Sequence, residues 1–411
     1  MRKMKDSGIE WIGEIPEDWD VHRLAGLGEF SGSGNDKKIN PDEPTVKMIN
    51  YVDVYNNKTY ELNADIDYMT VSCPENKYSE LLVQKGDLIF TPSSETIDDI
   101  GISALVVDDL KNTVYSYHVL RYRANEKIDF SFKKYLCNNH YARNYFSSKA
   151  VGTVRKTLNR DDFKNLKIAL PPIEAQAKIA IYLDKKCAEI DAIIAAKEKT
   201  NELLKERRQS IIYEAVTKGL DPTVPMKDSG VEWIGEIPEH WSVIRAKYFA
   251  TINNGTDPKT EGDIPVYGSG SESFKTCGEY KEGPCVLLGR KGATLHIPHF
   301  IEGKYWNVDT AFDVKTDESI CLLKYYYYAS ICFDYQLYIS TTTLPGMTQS
   351  NYGNMFLPIP DTDEQESIVL GLEALLLDVD MLIETNNSTI EKLKDYRQSV
   401  IYEAVTGKVE I

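Results

Sequence analysis

Polar side chains that could bind a ligand are concentrated in two loops of this sequence. The loops are Ser147–Asp161 (SSKAVGTVRKTLNRD) and Ser340–Asn351 (STTTLPGMTQSN). Their arginine, asparagine, glutamine and threonine side chains are the types that bind nucleic-acid base edges, with arginine suited to guanine and asparagine or glutamine to adenine. The chemistry that these loops could perform is recognition.

Catalytic patterns are absent or incomplete in the sequence. It contains no GxxxxGK[ST] phosphate loop and no Asn/Asp-Pro-Pro-Tyr segment, which an adenine methyltransferase needs around a flipped base. Glu302-Gly303-Lys304 has the Glu-x-Lys shape of a nuclease metal site but lacks a well-placed Pro-Asp upstream. His296 and His299 have no cysteine or acidic companion at ligand spacing. We therefore predict neither a catalytic residue nor a metal site.

The two loops occupy matching places in an internal repeat. Met4–Val21 (MKDSGIEWIGEIPEDWDV) returns as Met226–Val243 (MKDSGVEWIGEIPEHWSV), and we call these segments the lead-ins. Arg208–Thr217 (RQSIIYEAVT) returns as Arg397–Thr406 (RQSVIYEAVT). The residues between the repeated segments differ. Similar repeated segments that enclose dissimilar middle segments indicate a protein that docks in the same way at two places and recognises two different ligands.

Each middle segment is predicted to be an α/β (α+β) domain. Residues 24–170 alternate β-type runs such as DLIFT with turns, and they include one helix at Phe130–Ser147. The second copy has the same order of signals, with a tyrosine-rich helix near Ser319–Tyr338. We interpret the tryptophans of both lead-ins as anchors of these domains, and Tyr325–Tyr328 as packing between helix and sheet.

Each domain is followed by a long predicted helix. Ala175–Thr217 has no proline or glycine, and Asp363–Thr406 has only Gly371. Apolar residues at heptad spacing predict a seam on each helix, with Asn386 and its counterpart Lys197 as polar positions that fix the register. The seam of the second helix comprises Ile368, Leu372, Leu375, Val379, Leu382, Asn386, Ile390, Leu393, Val400 and Ala404. The equivalent positions on the first helix are Ile179, Leu183, Ile190, Ile193, Leu204, Ile211 and Ala215.

Neither helix can bury its seam alone, so we predict that the two form an intramolecular antiparallel coiled coil. The globular domains would lie at opposite ends of this rod, related by a pseudo-twofold axis, and the C-terminal end would return to the first lead-in. The predicted boundaries are 1–172 (first domain), 173–217 (first helix), 218–225 (linker), 226–361 (second domain), 362–406 (second helix) and 407–411 (tail).

Composition limits the classes of function. The chain of 411 residues has a net charge of −16, which by itself counts against nucleic-acid binding, although Lys133–Lys167 is locally basic. Seven cysteines without a CxxC pair fit reduced thiols. No apolar run is long enough for a membrane span, and the polar start at Met1–Lys5 leads us to expect no secretory signal. We therefore expect a cytoplasmic protein without a membrane association.

The combination of motifs resembles the specificity subunit of a type I restriction–modification enzyme. The resemblance rests on the WIGEIP lead-ins, the LPP and LPIP segments before each long helix, and RQSIIYEAVTKGL at the helix end. The helix starts IEAQAKIAIYLD and TDEQESIVLGLE are similar to the family's Pro-x-x-x-Glu-Gln pattern, from which the first copy departs at Glu174-Ala175-Gln176. The resemblance covers nearly the whole chain.

The resemblance implies a division of labour. Each globular domain would be a target recognition domain that reads one half of a split, asymmetric double-stranded DNA sequence, and the helices would set the spacer. The repeated segments would bind two methyltransferase (M) subunits, and restriction/motor (R) subunits would join them. S-adenosylmethionine, ATP and Mg²⁺ would belong to those partners, with no cofactor in this chain.

Candidate DNA-binding residues follow from matching the two loops under this resemblance. For any one of them, the alternative is an ordinary solvated loop residue. The candidates are Arg155, Lys156, Asn159 and Arg160 in the first domain, and Arg290, Lys291, Thr342, Thr343, Thr348, Gln349 and Asn351 in the second.

Two other functions remain open from the sequence. An acidic coiled-coil scaffold with two protein-binding heads fits the net charge but leaves the polar loops without a role. A stand-alone nuclease would have to use Glu302 and Lys304.

Overall fold

The computed structural model describes residues 2–270, 272–339 and 346–411, which form two compact units. Unit 1 comprises Met1–Ala196 together with Thr389–Ile411, and unit 2 comprises Lys197–Ser388. Both units mix helices and sheets, in agreement with the predicted α/β class.

Unit 1 contains short strands, short helices and the beginning of one long helix. Its strands are β1 (Met4–Asp6), β2 (Glu14–Pro16), β3 (Asp20–Arg23), β4 (Gly28–Gly32), β5 (Thr45–Ile49), β6 (Glu61–Leu62), β7 (Met69–Ser72), β8 (Asp87–Phe90), β9 (Ser93–Ser94), β10 (Ser103–Val106), β11 (Thr113–Tyr115), β12 (Leu120–Ala124), β13 (Lys156–Thr157) and β14 (Lys167–Leu170). Its helices are α1 (Tyr51–Tyr55), α2 (Glu75–Leu81), α3 (Lys133–Leu136), α4 (His140–Lys149), α5 (Arg160–Asn165) and the first part of α6 (Ile173–Lys218).

Two sheets form the centre of unit 1. One has the strand order β4-β12-β8-β10-β6, and the other has the order β11-β5-β7. The central strand β8 (DLIF) is buried along its length, with Leu88 and Phe90 in the core shared with the helices and Ile89 in the core shared with the second sheet. Because successive side chains of a strand point to opposite faces, the larger sheet lies between a helical layer and the smaller sheet.

Unit 2 contains the rest of α6, most of α9 and a second set of strands. The strands are β15 (Met226–Asp228), β16 (Glu236–Pro238), β17 (Ser242–Arg245), β18 (Ala250–Asn254), β19 (Ile264–Tyr267), β20 (Lys275–Cys277), β21 (Lys281–Glu282), β22 (Cys285–Gly289), β23 (His299–Ile301), β24 (Lys304–Asn307), β25 (Ala311–Thr316) and β26 (Phe356–Ile359). The helices are α7 (Leu323–Ile331), α8 (Gln349–Asn354) and α9 (Thr362–Val405), whose last part belongs to unit 1.

The sheets of unit 2 repeat the topology of unit 1. The order β18-β25-β22-β23 matches β4-β12-β8-β10, and β20-β19-β24-β21 matches the smaller sheet. In both units one pair of the smaller sheet is parallel, β11 with β5 and β19 with β24. The repeated order of β-type signals therefore corresponds to one fold formed twice from different residues.

Both predicted domain helices are shorter than expected. The helix expected at Phe130–Ser147 is divided into α3 and α4, because Asn139 caps α4 by accepting a hydrogen bond from Ala142 N at 3.0 Å. The tyrosine-rich helix is limited to α7, in which Tyr325, Tyr326 and Tyr328 are buried in the core as predicted.

The lead-ins are turn-rich hairpins, and three of their four tryptophans are packed on a domain core, since Trp233 is partly buried with its ring centre 6.0 Å from that of Phe333. Trp19 and Trp241 are each 1% exposed, whereas Trp11 is 48% exposed. Ile9, Ile12 and Ile15 fill the core around the first hairpin, so Trp11 remains at the surface of its turn. The predicted return of the C-terminal end to the first lead-in is confirmed, since the Tyr402 hydroxyl donates to Trp11 O at 3.0 Å.

The long helices contact each other within each unit. In unit 2, Asn201 Nδ2 donates to Asn387 Oδ1 at 2.8 Å and Arg208 Nε pairs with Asp380 Oδ1 at 2.9 Å, so the segments run in opposite directions. In unit 1, Arg397 Nε pairs with Asp191 Oδ1 at 3.0 Å. The predicted polar positions meet directly, because Lys197 Nζ donates to Asn386 Oδ1 at 3.0 Å.

The predicted seam is wrong at three positions. Ile193, Leu375 and Leu382 are 48%, 52% and 54% exposed. Leu376 is buried instead of Leu375, and with Ile368, Leu372 and Val379 it forms a buried stripe, beside which Val369 is also buried. Two successive steps of four residues bring the spacing closer to 3.67 than to 3.5 residues per turn, which a strict heptad reading misses.

Candidate nucleic-acid interface

In both units the loop before the last domain strand pairs with the loop that follows the central strand. In unit 1, β13 pairs with β9, and Leu158 N donates to Pro92 O at 2.8 Å. In unit 2, Met347 N donates to Arg290 O at 2.9 Å, and Lys291 bridges to Gly346. The first loop and the described part of the second, residues 346–351, therefore occupy the same place in the repeated fold, at the carboxyl end of β8 or β22.

Arg155 is held in an exposed but ordered position in unit 1. Its Nε donates to Ser93 Oγ at 3.0 Å, and its guanidinium lies 5.2 Å from the centre of the Tyr51 ring. An arginine fixed by a hydrogen bond and a ring contact loses less entropy when it binds a planar acceptor pair. Lys156 Nζ donates to Gly152 O at 2.7 Å, which closes the same loop on itself.

Asn159 has a structural role as the N-cap of α5. Its Oδ1 accepts hydrogen bonds from Asp161 N at 2.9 Å and Asp162 N at 3.1 Å, and the Asp162 carboxylate accepts from Asn159 N in return. Arg160 begins this helix beside Gly32, where an added Cβ would lie 3.1 Å from Arg160 Nη2. Of these two residues, Arg160 has the side chain directed to a neighbouring element, the end of β4.

Arg290 and Lys291 of unit 2 lie beside Asp309. Arg290 Nη1 donates to Asp309 O at 3.3 Å, and its guanidinium lies 5.9 Å from the centre of the Phe312 ring. Lys291 Nζ is 4.0 Å from Asp309 Oδ2, and both of these side chains are about half exposed. An exposed ion pair of this length contributes little to stability, so Lys291 can exchange it for a phosphate.

Three further candidates of unit 2, Thr348, Gln349 and Asn351, form hydrogen bonds within the unit. Thr348 caps α8 by accepting from Asn351 N at 3.1 Å, which is the role that Asn159 has in unit 1. Gln349 Nε2 donates to Ile252 O at 2.8 Å, and Asn351 Nδ2 donates to Tyr338 O at 2.7 Å. Thr342 and Thr343 lie outside the described residues.

Sequence reasoning missed several residues that surround Arg155. Ser93 and Tyr51 contact it directly, and His118 lies close enough to Arg155 and Lys37 for their charges to act on it. Partial burial lowers the pKa of His118, and the positive charges of Lys37 and Arg155 lower it further. Positive charges therefore act on this part of the surface, although the nearby Asp36 carboxylate opposes them. The internal repeat contained a signal for Ser93, because the loop after DLIF matches the loop that carries Arg290.

An acidic residue orders the loop after the central strand of unit 1. The hydroxyls of Ser94 and Tyr55 both donate to the Asp99 carboxylate. Burial alone would raise the pKa of Asp99, but the hydrogen bonds from Ser94, Thr96 and Tyr55 outweigh it, and the pKa is lowered. The bond to Asp99 raises the pKa of Tyr55. The loop that holds Ser93 against Arg155 is thus fixed before any ligand binds.

The described residues contain no cluster of three or more His, Cys, Asp or Glu side chains arranged for a metal ion. All seven cysteines are free, and burial raises the pKa of Cys285 to about 11 and that of Cys332 to about 12. Lys304 Nζ lies 4.2 Å from the centre of the Tyr280 ring. In the part of the chain that the structure describes, no helix is both long and apolar enough to cross a membrane.

Comparisons with known proteins agree with this arrangement. A family model described as "Type I restriction modification DNA specificity domain" matches residues 16–205 and 238–393. The putative type I restriction enzyme MjaX specificity subunit of Methanocaldococcus jannaschii is 24% identical over 97% of this chain and 96% of its own length. The MjaVIII specificity subunit of the same organism is 23% identical over 97% of this chain and 94% of its own length.

A solved structure shares the fold. It comes from a study of complex assembly and conformational transition of the type I R-M system, and its chain superposes with a TM-score of 0.69 at 17% sequence identity. The match covers 96% of this chain and 99% of the other.

Proposed function

Because the chain belongs to the family of type I restriction–modification specificity subunits, with two target recognition domains, we propose that it reads a bipartite, asymmetric DNA target, one half with each unit. The observation that carries the proposal is the duplicated fold, in which different loop residues occupy the same place at the end of β8 and of β22. A protein that reads one palindromic sequence would need the same residues twice.

The long helices would set the number of base pairs between the two halves as one antiparallel coiled coil. Support comes from the ion pairs Arg397–Asp191 and Arg208–Asp380, which are equivalent under the alignment of the helix-end segments. Two proteins that bind at a fixed separation along a duplex select a fixed spacer, because the half-sites must lie on matching faces of the helix.

The repeated lead-ins and helix ends would dock two M subunits, one on each copy of the frame. Similar surfaces on two domains with different middle segments fit an identical partner bound twice. The partners would supply much of the attraction to phosphates, which sets affinity without selecting sequence, so a net charge of −16 is compatible with DNA recognition in the complex. R subunits would join this core.

Catalysis would belong entirely to the partners. The chain would act as a non-catalytic subunit, and S-adenosylmethionine, ATP and Mg²⁺ would bind to the M and R subunits. The proposal is supported by the polar loops, whose side chains serve hydrogen bonding and helix capping.

The test is a selection from a randomised duplex pool with the chain co-expressed with its M subunit. Bound DNA is recovered at moderate salt and sequenced. The proposal predicts enrichment of one split site with a fixed spacer. A complex that forms with M but enriches no sequence would contradict the proposal and would favour the acidic scaffold with two protein-binding heads.

A further inference from the structure

A buried glutamine joins the first long helix to the recognition domain of unit 1. Gln176, in the first turn of α6, is 1% exposed. Its Oε1 accepts from Asp129 N at 2.7 Å, and its Nε2 donates to Lys127 O at 3.0 Å and to Pro171 O at 2.9 Å. The side chain thus connects the helix start to the end of the last domain strand and to the loop before α3.

Unit 2 contains the same joint. Gln365, in the first turn of α9, is completely buried. Its Oε1 accepts from Leu322 N at 2.8 Å, and its Nε2 donates to Ile320 O at 2.8 Å and to Pro360 O at 2.9 Å. Gln176 and Gln365 occupy matching positions when the helix-end segments are aligned.

The chemistry of the joint requires a primary amide of this length. Each side chain uses one acceptor and both donors, and all three partners are backbone groups. Glutamate has no donor for the two carbonyls, and asparagine is one methylene shorter. Leaving buried backbone groups without partners is costly, so the amide fixes one orientation of the loop on the helix.

The residue before each glutamine differs between the two units, whereas the glutamine itself is the same in both. In unit 2 this neighbour is Glu364, which accepts from Trp241 Nε1 at 3.0 Å. In unit 1 it is Ala175, and the buried indole nitrogen of Trp19 has no hydrogen-bond partner among the residues that the structure describes. The helix starts have therefore diverged at a position that makes a buried contact, while the glutamine joint has remained the same.

We propose that Gln176 and Gln365 are positioning residues that fix the tilt of each recognition domain on its helix, and thereby the number of base pairs between the two half-sites. The inference rests on the proposed reading of a split DNA target. A tilt of about 10° moves a point about 30 Å from the joint by about 5 Å, more than the roughly 3.4 Å rise of one base-pair step. A loosened joint would therefore admit neighbouring spacers.

The test is the same pool selection with Gln176→Met and Gln365→Met in complex with the M subunit. Methionine has a similar length and replaces the polar amide with an apolar thioether, which removes all three hydrogen bonds. Both half-site sequences should remain enriched, while the preference for the best spacer over its neighbours falls by about tenfold, because buried hydrogen bonds that held one orientation are gone. The exposed glutamines Gln84 and Gln336, changed to methionine, are the matched controls and should keep the wild-type spacer.

The outcomes separate the two proposals. A wild-type complex that selects no split site contradicts the proposed function itself. A wild-type complex that selects one spacer, together with methionine variants that bind more weakly at the same single spacer, overturns the positioning role alone. If a methionine variant does not fold, Gln176→Asn and Gln365→Asn keep a neutral amide that is one methylene too short to reach all three backbone partners, and the same spread of spacers is expected from them.

Discussion

At the scale of single residues, the two buried tryptophans differ in how their indole nitrogens are satisfied. Glu364 Oε2 accepts from Trp241 Nε1 at 3.0 Å and lies 2.8 Å from His240 Nε2. In the described ranges of the chain, Trp19 Nε1 is buried without an acceptor, because Ala175 stands where Glu364 does in unit 2. The departure of the first copy from the family pattern therefore has a structural cost, which its sequence alone does not show.

Ala175→Gln should stabilise unit 1 by giving Trp19 Nε1 an acceptor. Glutamine is preferable to glutamate because Asp18 occupies the place of His240 and would repel a second carboxylate. The expected gain in the free energy of unfolding is about 1 kcal/mol. Denaturant unfolding followed by tryptophan fluorescence measures it. Ala175→Met is the control for added bulk, and an equal gain from methionine would refute the hydrogen-bond explanation.

Asn159→Ala and Thr348→Ala should lower the free energy of unfolding by about 1 kcal/mol each, because each removes the N-cap of a short helix. The DNA sequence selected by the complex should stay the same. Asn159→Asp keeps a capping oxygen and should be nearly neutral in stability. A changed base preference in Asn159→Ala, with unaltered stability, would show instead that Asn159 reads a base.

Arg155→Ala should relax selection at one base pair of one half-site and leave the other half unchanged. Loss of a bidentate base contact costs about 1–3 kcal/mol in discrimination. Ser93→Ala keeps the guanidinium but removes its 3.0 Å hydrogen bond, so it should weaken selection at the same base pair to a smaller extent. Sequencing of the bound pool measures both effects. Uniform weakening at all positions would indicate a phosphate contact.

The sequence predicted which loops form the candidate site, but it predicted only in part the roles of the individual side chains in those loops. The repeat placed the two loops correctly relative to the fold, because they precede equivalent strands. Asn159 with Asp162 three residues later is also the signature of a helix N-terminus, and α5 has only six residues, which is too few for a helical periodicity to reveal. Asparagine before such a short helix fits a cap and a base contact equally well.

At the scale of elements, the long helices were predictable from their apolar periodicity and from the lack of proline and glycine, apart from Gly371 in the second helix. The register of these helices was not predictable. Leu375 and Leu376 are neighbouring leucines that a hydrophobic pattern cannot distinguish, and the apolar spacing departs from 3.5 residues per turn. The prediction of the first domain helix failed for a different reason. Asn139 is compatible with a helix interior or with a cap, and tertiary contacts decide between the two.

Leu376→Ala and Leu375→Ala test the observed register with neighbouring residues of the same type. Leu376 is 3% exposed, so its truncation should lower the free energy of unfolding by about 2–4 kcal/mol. Leu375 is 52% exposed, so its truncation should cost less than about 0.5 kcal/mol. Chemical denaturation of both variants provides the comparison. The reverse order would restore the heptad seam that the sequence suggested.

At the scale of the whole molecule, the duplicated architecture was accessible from the sequence because similar frames enclose the same order of strand and helix signals. The division of each unit into two sheets and the parallel strand pairs could not be predicted. Short strands with apolar residues on both faces do not indicate which other strands they pair with. The DNA target sequence could not be predicted at all, because base recognition depends on loop conformations that the local sequence pattern does not determine.

The central claim is that each unit reads its own half of the target. The most direct measurement replaces residues 24–170 by those of a relative and repeats the pool selection in complex with the M subunit. The account predicts that one half-site changes while the other half-site and the spacer stay the same. A change in both halves, or in neither, would contradict it.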